Sequence, residues 1–235
     1  AGVGKHSAVL FFLGVAVKEP REDPRLVALA EGLARSGMVV MMPWGRTQIQ
    51  HRLAIDDIDD LVKAFQYLRK LDRVDPEKVG VGGYCTGASM VTVAAQDPRI
   101  RDEVKFINSF AGYYDAFDFV KAIGARSRFY GDYVVPWEVD ERTYTVFRDH
   151  LIAGVMDEKE RILLAQEFVE QERISSAELS SFSTNATAVY KLLTGVPYEE
   201  ADMLIKQLSP KTHEFLRRVS PSTNVDQLKA RVLIM

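Results

Sequence analysis

The chain has 235 residues, of which 47% are hydrophobic and 27% are charged, and its formal net charge is −3 at pH 7. This length and composition predict one medium-to-large soluble domain, or a domain that carries an insertion. The slightly acidic balance excludes a general attraction to nucleic acid or to anionic membranes, so neither is expected as a partner. The only cysteine, Cys85, excludes an intramolecular disulfide and favours a reducing, cytoplasmic location.

The chain begins with a strand and a helix in its sequence pattern. The apolar run at residues 8–17 is too short to span a bilayer, and residues 8–13 are interpreted as a buried strand that ends in a glycine turn. This interpretation is favoured over the apolar core of a signal peptide. A helix is then predicted from Asp23-Pro24 to Gly37. Its apolar stripe consists of Leu26, Leu29, Ala30 and Leu33.

The rest of the first half continues the alternation of strands and helices. Buried strands are predicted at residues 38–43, 79–82 and 104–110, and helices at 52–71 and 88–95. Strands that alternate with helices predict a parallel sheet that is covered on both faces. The expected fold class is therefore α/β.

The second half has a different character. From about Phe117 to Val219 helical patterns follow one another, and no strand is predicted. A short apolar strand is predicted again at residues 231–235. The domain organisation expected from this pattern is a first part of the core at 1–116, an inserted helical cap at 117–222, and a return to the core at 223–235.

The stretch Gly83-Tyr84-Cys85-Thr86-Gly87 joins a predicted strand to a predicted helix. A strand, then glycine-x-nucleophile-x-glycine, then a helix is the pattern of a nucleophile elbow, a turn too tight for a Cβ at either glycine. A helix N-terminus also stabilises a thiolate. We therefore predict Cys85 as a nucleophile and the backbone N–H of Thr86 as one donor of an oxyanion hole. The alternative is a buried cysteine in an ordinary strand–loop–helix connection.

Several stretches around this elbow resemble the α/β-hydrolase superfamily, namely LFFLGVA, DPRLVALAEGLARSGMVVMMP, DLVKAFQYLRKLDRVDPEKVGVGGYCTGAS and FINSFAGYYD. The Tyr-Cys pair is most similar to dienelactone hydrolases, which carry a G-Y-C-x-G elbow with a cysteine nucleophile. The resemblance implies an α/β-hydrolase core and a second oxyanion donor after the first strand, which maps to the N–H of Val15. Leu13-Gly14 stands where the family usually has His-Gly, and the helical insertion departs from the usual compact form.

The resemblance also implies the chain order nucleophile, acid, histidine, with the acid after the strand that follows the cap. That strand is at 231–235 here, so both residues are expected beyond Met235, and the sequence is expected to be part of a longer hydrolase. Within the chain, Asp115 is a candidate acid because some relatives carry their acid after the strand predicted at 104–110. A role as a loop cap or turn residue is favoured for it.

The four histidines offer no strong candidate for the base. His6 precedes the first predicted strand and lies at the wrong end of the sheet, whereas His51 follows the second strand and is geometrically able to serve. His150 and His213 lie among charged neighbours in the cap region and are expected at the surface. Tyr113 and Tyr114 are expected to line the pocket or to pack beneath the cap.

The predicted function is hydrolysis of a small-molecule ester, lactone or thioester through an acyl–cysteine intermediate. One alternative is acyl transfer, because polyhydroxyalkanoate synthases also carry a cysteine in a G-x-C-x-G elbow. Another is a non-catalytic member of the fold that binds a small ligand. Neither a metal nor a cofactor is expected, because no zinc-ligand spacing and no dinucleotide fingerprint occurs in the sequence. A homodimer is left open.

Overall fold

The computed structural model describes residues 4–15, 20–131 and 133–235. The chain divides into two compact units, of which the first comprises Ala1–Asp115 with Arg218–Met235 and the second Ala116–Arg217. The sequence placed the end of the insertion at residue 222, whereas residues 218–222 belong to the first unit.

The strands of the first unit are β1 (His6–Phe12), β2 (Met38–Met41), β3 (Val74–Tyr84), β4 (Phe106–Phe110) and, after two strands of the second unit, β7 (Arg231–Ile234). They form a five-stranded sheet in which every strand pair is parallel, in the order β2-β1-β3-β4-β7. The helices of this unit are α1 (Pro24–Arg35), α2 (Arg46–Ile49), α3 (Asp56–Arg69) and α4 (Thr86–Ala94). The mainly parallel α/β core that the sequence predicted is confirmed.

The core of this unit lies at the central strands β1 and β3. Leu10 and Val81, each 1% exposed, pack with Phe65 of α3 and Met90 of α4, which are fully buried. Central parallel strands are buried on both faces, so they carry continuous apolar runs. Burial of apolar side chains of this size contributes about 1.5–3 kcal/mol each to the free energy of unfolding.

Two elements near the sheet edge differ from the prediction. Strand β2 is half-buried along its whole length, although residues 38–43 were predicted as a buried strand. Helix α1 contains no buried residue, and Leu29 of its predicted apolar stripe is 38% exposed. The reason is the position of β2 at the edge of the sheet, where an element is covered from fewer sides than it is at the centre.

The second unit is mainly helical. Its helices are α5 (Ala116–Gly124), α6 (Glu141–Ala153), α7 (Glu158–Ala165), α8 (Ser176–Ser180), α9 (Thr184–Thr194), α10 (Tyr198–Lys206) and α11 (Pro210–Val219), the last of which continues into the first unit. Side-chain caps begin several of them, as at Asp140 and Asp157. A short π-helix, Gln166–Glu170, extends α7.

The expectation that this region contains no strand is wrong. Strands β5 (Ser127–Tyr130) and β6 (Tyr133–Pro136) form an antiparallel hairpin. All four residues of β6 are exposed, and β5 alternates only between half-buried and exposed positions. Neither strand therefore contains a fully buried residue, and the sequence of the hairpin lacks the strong apolar pattern from which a strand is recognised. Within the described residues, the helices are all too short or too polar to cross a membrane.

Candidate active site

Cys85 lies in the turn between β3 and α4, in a backbone conformation that non-glycine residues rarely adopt. Its φ is 54° and its ψ is −133°. Two hydrogen bonds hold this turn: the N–H of Cys85 donates to the carbonyl of Phe110 over 2.8 Å, and the N–H of Ala88 donates to the carbonyl of Cys85 over 3.0 Å. Such strain persists only where the surroundings enforce it, and it is the backbone geometry of a nucleophile elbow.

The glycines on either side leave no space for a side chain. A Cβ on Gly83 would lie 2.6 Å from the nitrogen of Ala88, and one on Gly87 would lie 2.3 Å from the carbonyl oxygen of Phe12. Both neighbours are backbone atoms, which cannot move aside without displacing a strand or a helix. Small residues at these two positions therefore allow α4 to start directly against β1 and β3.

Two backbone N–H groups converge beside Cys85. Thr86 occupies the first position of α4, where an N–H has no partner within its own helix, and the described residues offer it no other acceptor. The N–H of Val15, in the loop after β1, donates to the hydroxyl Oγ1 of Thr86 over 3.3 Å. This bond joins the loop after β1 to the first residue of α4, and the role of the two N–H groups as oxyanion donors stays a prediction.

Gly14 makes this convergence sterically feasible. Its φ is +66°, and a Cβ on it would lie 2.2 Å from Oγ1 of Thr86 and 2.4 Å from the nitrogen of Gly87. Only glycine combines a left-handed backbone with such a close approach. Leu13, which stands where the family resemblance implies a histidine, is 8% exposed.

Ser89 and Tyr113 support the loop after β4. The sequence had indicated no chemical role for either residue. The hydroxyl of Ser89, which is 1% exposed, donates to the carbonyl of Tyr113 over 2.7 Å. The phenol of Tyr113 donates to the carbonyl of Val219 over 3.1 Å. Burial, and secondarily the neighbouring Cys85, raise the pKa of Tyr113. Ser89 lies four residues after Cys85 on a helix that is buried along most of its length, and a buried hydroxyl needs a hydrogen-bond partner.

Asp115 lies at the end of the same loop and accepts a hydrogen bond from the hydroxyl of Ser222 over 2.6 Å. The N–H of Ser222 donates to the carbonyl of Tyr114 over 3.0 Å, so a second bond joins the same two segments. This double connection ties the loop after β4 to the 3₁₀ turn Pro221–Gln227. It is the kind of loop contact that the sequence favoured over an acid function for Asp115.

The histidines are distributed over several elements. His6 is exposed and begins β1, at the amino end of the sheet, and His51 follows α2 with a φ of 53°. In the second unit, Nδ1 of His150 lies 2.9 Å from the carbonyl oxygen of Val146, and Nε2 of His213 lies 2.8 Å from that of Ile205. Both are half-buried, whereas the sequence predicted a surface position for them. The ring of His150 thus contacts a carbonyl of its own helix, α6, and the ring of His213 in α11 contacts a carbonyl of α10.

Comparison with known proteins gives one family match. Residues 33–114 match the model of the dienelactone hydrolase family, which covers β2 to the loop after β4 and includes the elbow. The resemblance to dienelactone hydrolases that the sequence predicted is confirmed over this segment. No curated protein matches the chain.

The fold also occurs in solved structures of distant proteins. A protein from Bacteroides ovatus provisionally named a dipeptidyl aminopeptidase IV is 15% identical, with a TM-score of 0.50 over 99% of this chain and 23% of that protein. The 2,6-dihydroxy-pseudo-oxynicotine hydrolase is 14% identical over 100% of this chain and 46% of that one, with a TM-score of 0.49. Est1E from Butyrivibrio proteoclasticus is 15% identical over 63% and 62%, with a TM-score of 0.40.

The chain therefore spans less than two thirds of each of these three proteins. At these identities the first likeness concerns the fold alone. Together with the sheet order and the elbow, it identifies the fold of this chain as that of the α/β-hydrolases.

Proposed function

We propose that the chain carries the nucleophile of a hydrolase that cleaves small-molecule esters, lactones or thioesters through an acyl–cysteine intermediate. The observation that carries the proposal is the strained backbone of Cys85 at the first turn of α4, with the N–H groups of Thr86 and Val15 beside it. The family match over residues 33–114 supports ester chemistry at this elbow.

In the acylation step, the Cys85 thiolate attacks the carbonyl carbon, and a C–S bond forms as the carbonyl electrons move onto oxygen. The oxyanion accepts hydrogen bonds from the N–H groups of Thr86 and Val15. It then collapses, the C–O bond to the alcohol breaks, and the alkoxide leaves with a proton from solvent or from a general acid. The first turn of α4 favours the thiolate because its unpaired N–H groups carry the positive end of the helix dipole.

In the second step, water attacks the thioester carbonyl and the C–S bond breaks, which releases the carboxylic acid and restores the thiol. This step needs a general base, since water is a far weaker nucleophile than a thiolate. Within the first unit, His51 follows β2 on the carboxyl side of the sheet and is the histidine of that unit to be tested. Asp115 stays a candidate acid, although its carboxylate already accepts a hydrogen bond from the hydroxyl of Ser222.

The test is pre-steady-state release of nitrophenol from nitrophenyl acetate, with the unchanged chain, Cys85→Ala and His51→Ala compared. We expect a burst of about one equivalent from the unchanged chain and from His51→Ala, because acylation requires only the thiolate and the oxyanion donors. Cys85→Ala should show no burst.

A burst that survives Cys85→Ala would overturn the proposed nucleophile. Turnover after the burst that disappears in His51→Ala would assign the base to His51. Absence of any burst from the folded, unchanged chain would contradict the proposed function as a whole. In the last case a role in ligand binding, the alternative left open by the sequence, would be the better account.

A further inference from the structure

The hydroxyl of Thr86 contacts the oxyanion donor that comes from the other side of the site. Its Oγ1 accepts the N–H of Val15 over 3.3 Å, and Thr86 is 8% exposed, so water has little access to this bond. Thr86 thus has two separable parts. Its backbone N–H, at the first position of α4, is the proposed oxyanion donor, whereas its side chain accepts a hydrogen bond from a neighbouring peptide.

The peptide that it holds lies between Gly14 and Val15. The bond between Gly14 and Val15 follows a residue with a φ of +66°, and glycine has access to many more backbone conformations than any other residue. A rotation of this peptide would exchange the N–H and the carbonyl that face the first turn of α4. Without an acceptor on the α4 side, nothing in the contacts of Val15 N–H would favour the orientation that serves an oxyanion.

We propose that Thr86 is a positioning residue whose hydroxyl keeps the Gly14–Val15 peptide turned so that the N–H of Val15 faces the oxyanion formed at Cys85. The inference rests on the proposed acyl–cysteine chemistry. The bond is long for an N–H to oxygen contact, and its acceptor is a neutral hydroxyl. A charged oxyanion is the stronger acceptor, so it takes over the N–H when it forms.

The experiment separates two reactions of the same thiol. Acylation by nitrophenyl acetate passes through an oxyanion, whereas alkylation by iodoacetamide is a direct displacement at carbon that forms no oxyanion. Thr86→Val removes the hydroxyl and keeps the side-chain shape, and Thr86→Ser keeps the hydroxyl. Thr92→Val is the matched control: Thr92 is a buried threonine of the same helix, and its hydroxyl donates to the carbonyl of Ala88 over 2.7 Å.

Loss of one oxyanion donor typically lowers the rate by about 10²–10³-fold. We expect Thr86→Val to lose about 10- to 100-fold in the burst rate, since the peptide still visits the productive orientation, and to keep its alkylation rate within about twofold. Thr86→Ser should recover most of the burst rate, and Thr92→Val should retain the rate of the unchanged chain. If Thr86→Val does not fold, Thr86→Ala takes its place with the same expected split.

Three results would overturn the inference. Equal acylation by Thr86→Val and the unchanged chain would show that the hydroxyl does not position the donor. Faster acylation by Thr86→Val would mean that the hydroxyl competes with the oxyanion for the N–H. A parallel fall of acylation and alkylation would indicate a general distortion of the elbow. Each of these is distinguishable from failure of the proposed function, in which the unchanged chain itself shows no burst.

Discussion

The backbones of Gly14 and Gly87 approach so closely that a Cβ on Gly87 would lie 2.4 Å from the nitrogen of Gly14, and a Cβ on Gly14 would lie 2.4 Å from the nitrogen of Gly87. This reciprocal contact joins the loop after β1 to the first turn of α4. It therefore brings together the two segments that carry the proposed oxyanion donors, the N–H groups of Val15 and Thr86. The site depends on two residues that have no side chain.

Gly87→Ala should destabilise the first unit by at least about 2 kcal/mol, because overpacking against fixed backbone is costly. Its matched control is Gly32→Ala in α1, where a Cβ meets nothing within 4 Å. Helix propensity predicts a gain of roughly 0.5–1 kcal/mol for that control. Urea unfolding of both variants measures the two changes, and equal stabilities would show that the close approach is not required.

Ala111→Gly should stabilise the protein by about 0.5–1 kcal/mol. Ala111 directly follows β4 with a φ of 53°, in the left-handed region that costs a residue with a Cβ roughly 1–2 kcal/mol. Glycine removes this cost and loses part of the gain through its greater freedom in the unfolded chain. Ala28→Gly, at an exposed interior position of α1, should instead destabilise by about 1 kcal/mol. A loss of stability in Ala111→Gly would contradict the strained conformation.

Tyr113 should make the stability fall at alkaline pH. Burial and the nearby Cys85 raise its pKa in the folded protein. Its contribution is therefore complete below the unfolded value of about 10 and is lost as the pH rises above it, since only the unfolded chain then releases the proton readily.

The measurement for Tyr113 is urea unfolding at pH 8 and at about pH 10.5. Tyr113→Phe should be less stable by about 1 kcal/mol at pH 8, because the bond to the carbonyl of Val219 is lost, and should decline less steeply with pH. Tyr67→Phe is the control, because Tyr67 is 62% exposed and meets solvent in both states. An unchanged pH slope in Tyr113→Phe would be evidence against the buried phenol.

The bond between Asp115 and Ser222 should appear as a coupling in a double-mutant cycle. A hydrogen bond to a charged group contributes about 1.5–3 kcal/mol, so Asp115→Asn and Ser222→Ala should each destabilise, and the double variant should lose little more than either one. The free energy of unfolding of the four proteins gives the coupling. Additive losses would indicate that Asp115 acts elsewhere, and its candidacy as an acid would gain weight.

The sequence predicted the core well because its signals there are local. Buried parallel strands such as β1 carry unbroken apolar runs, and the elbow glycines mark a turn that no other residue type fits. Its errors concern features that depend on distant parts of the chain. The exposure of α1 follows from the edge position of β2, and the strands β5 and β6 of the hairpin contain no fully buried residue.

The sequence indicated the backbone elements of the candidate site but not its supporting contacts. Cys85, Thr86 and Val15 were proposed from a short motif and a family resemblance, and in the structure the N–H of Val15 donates to the hydroxyl of Thr86, the residue after Cys85. The bonds of Ser89 and Tyr113 join a side chain to a distant backbone carbonyl. Since every residue has a backbone carbonyl, the sequence does not indicate which one accepts such a hydrogen bond.

The central claim is that Cys85 is the nucleophile and carries the acyl group in a covalent intermediate. The most direct test is mass spectrometry of the chain after brief mixing with nitrophenyl acetate. The account predicts one acetyl group per chain, located by peptide mapping on the peptide that contains Cys85 and removed by hydroxylamine as a thioester. It also predicts none on Cys85→Ala. An acetyl group found on a lysine or a serine instead, or present to the same extent on Cys85→Ala, would contradict the account.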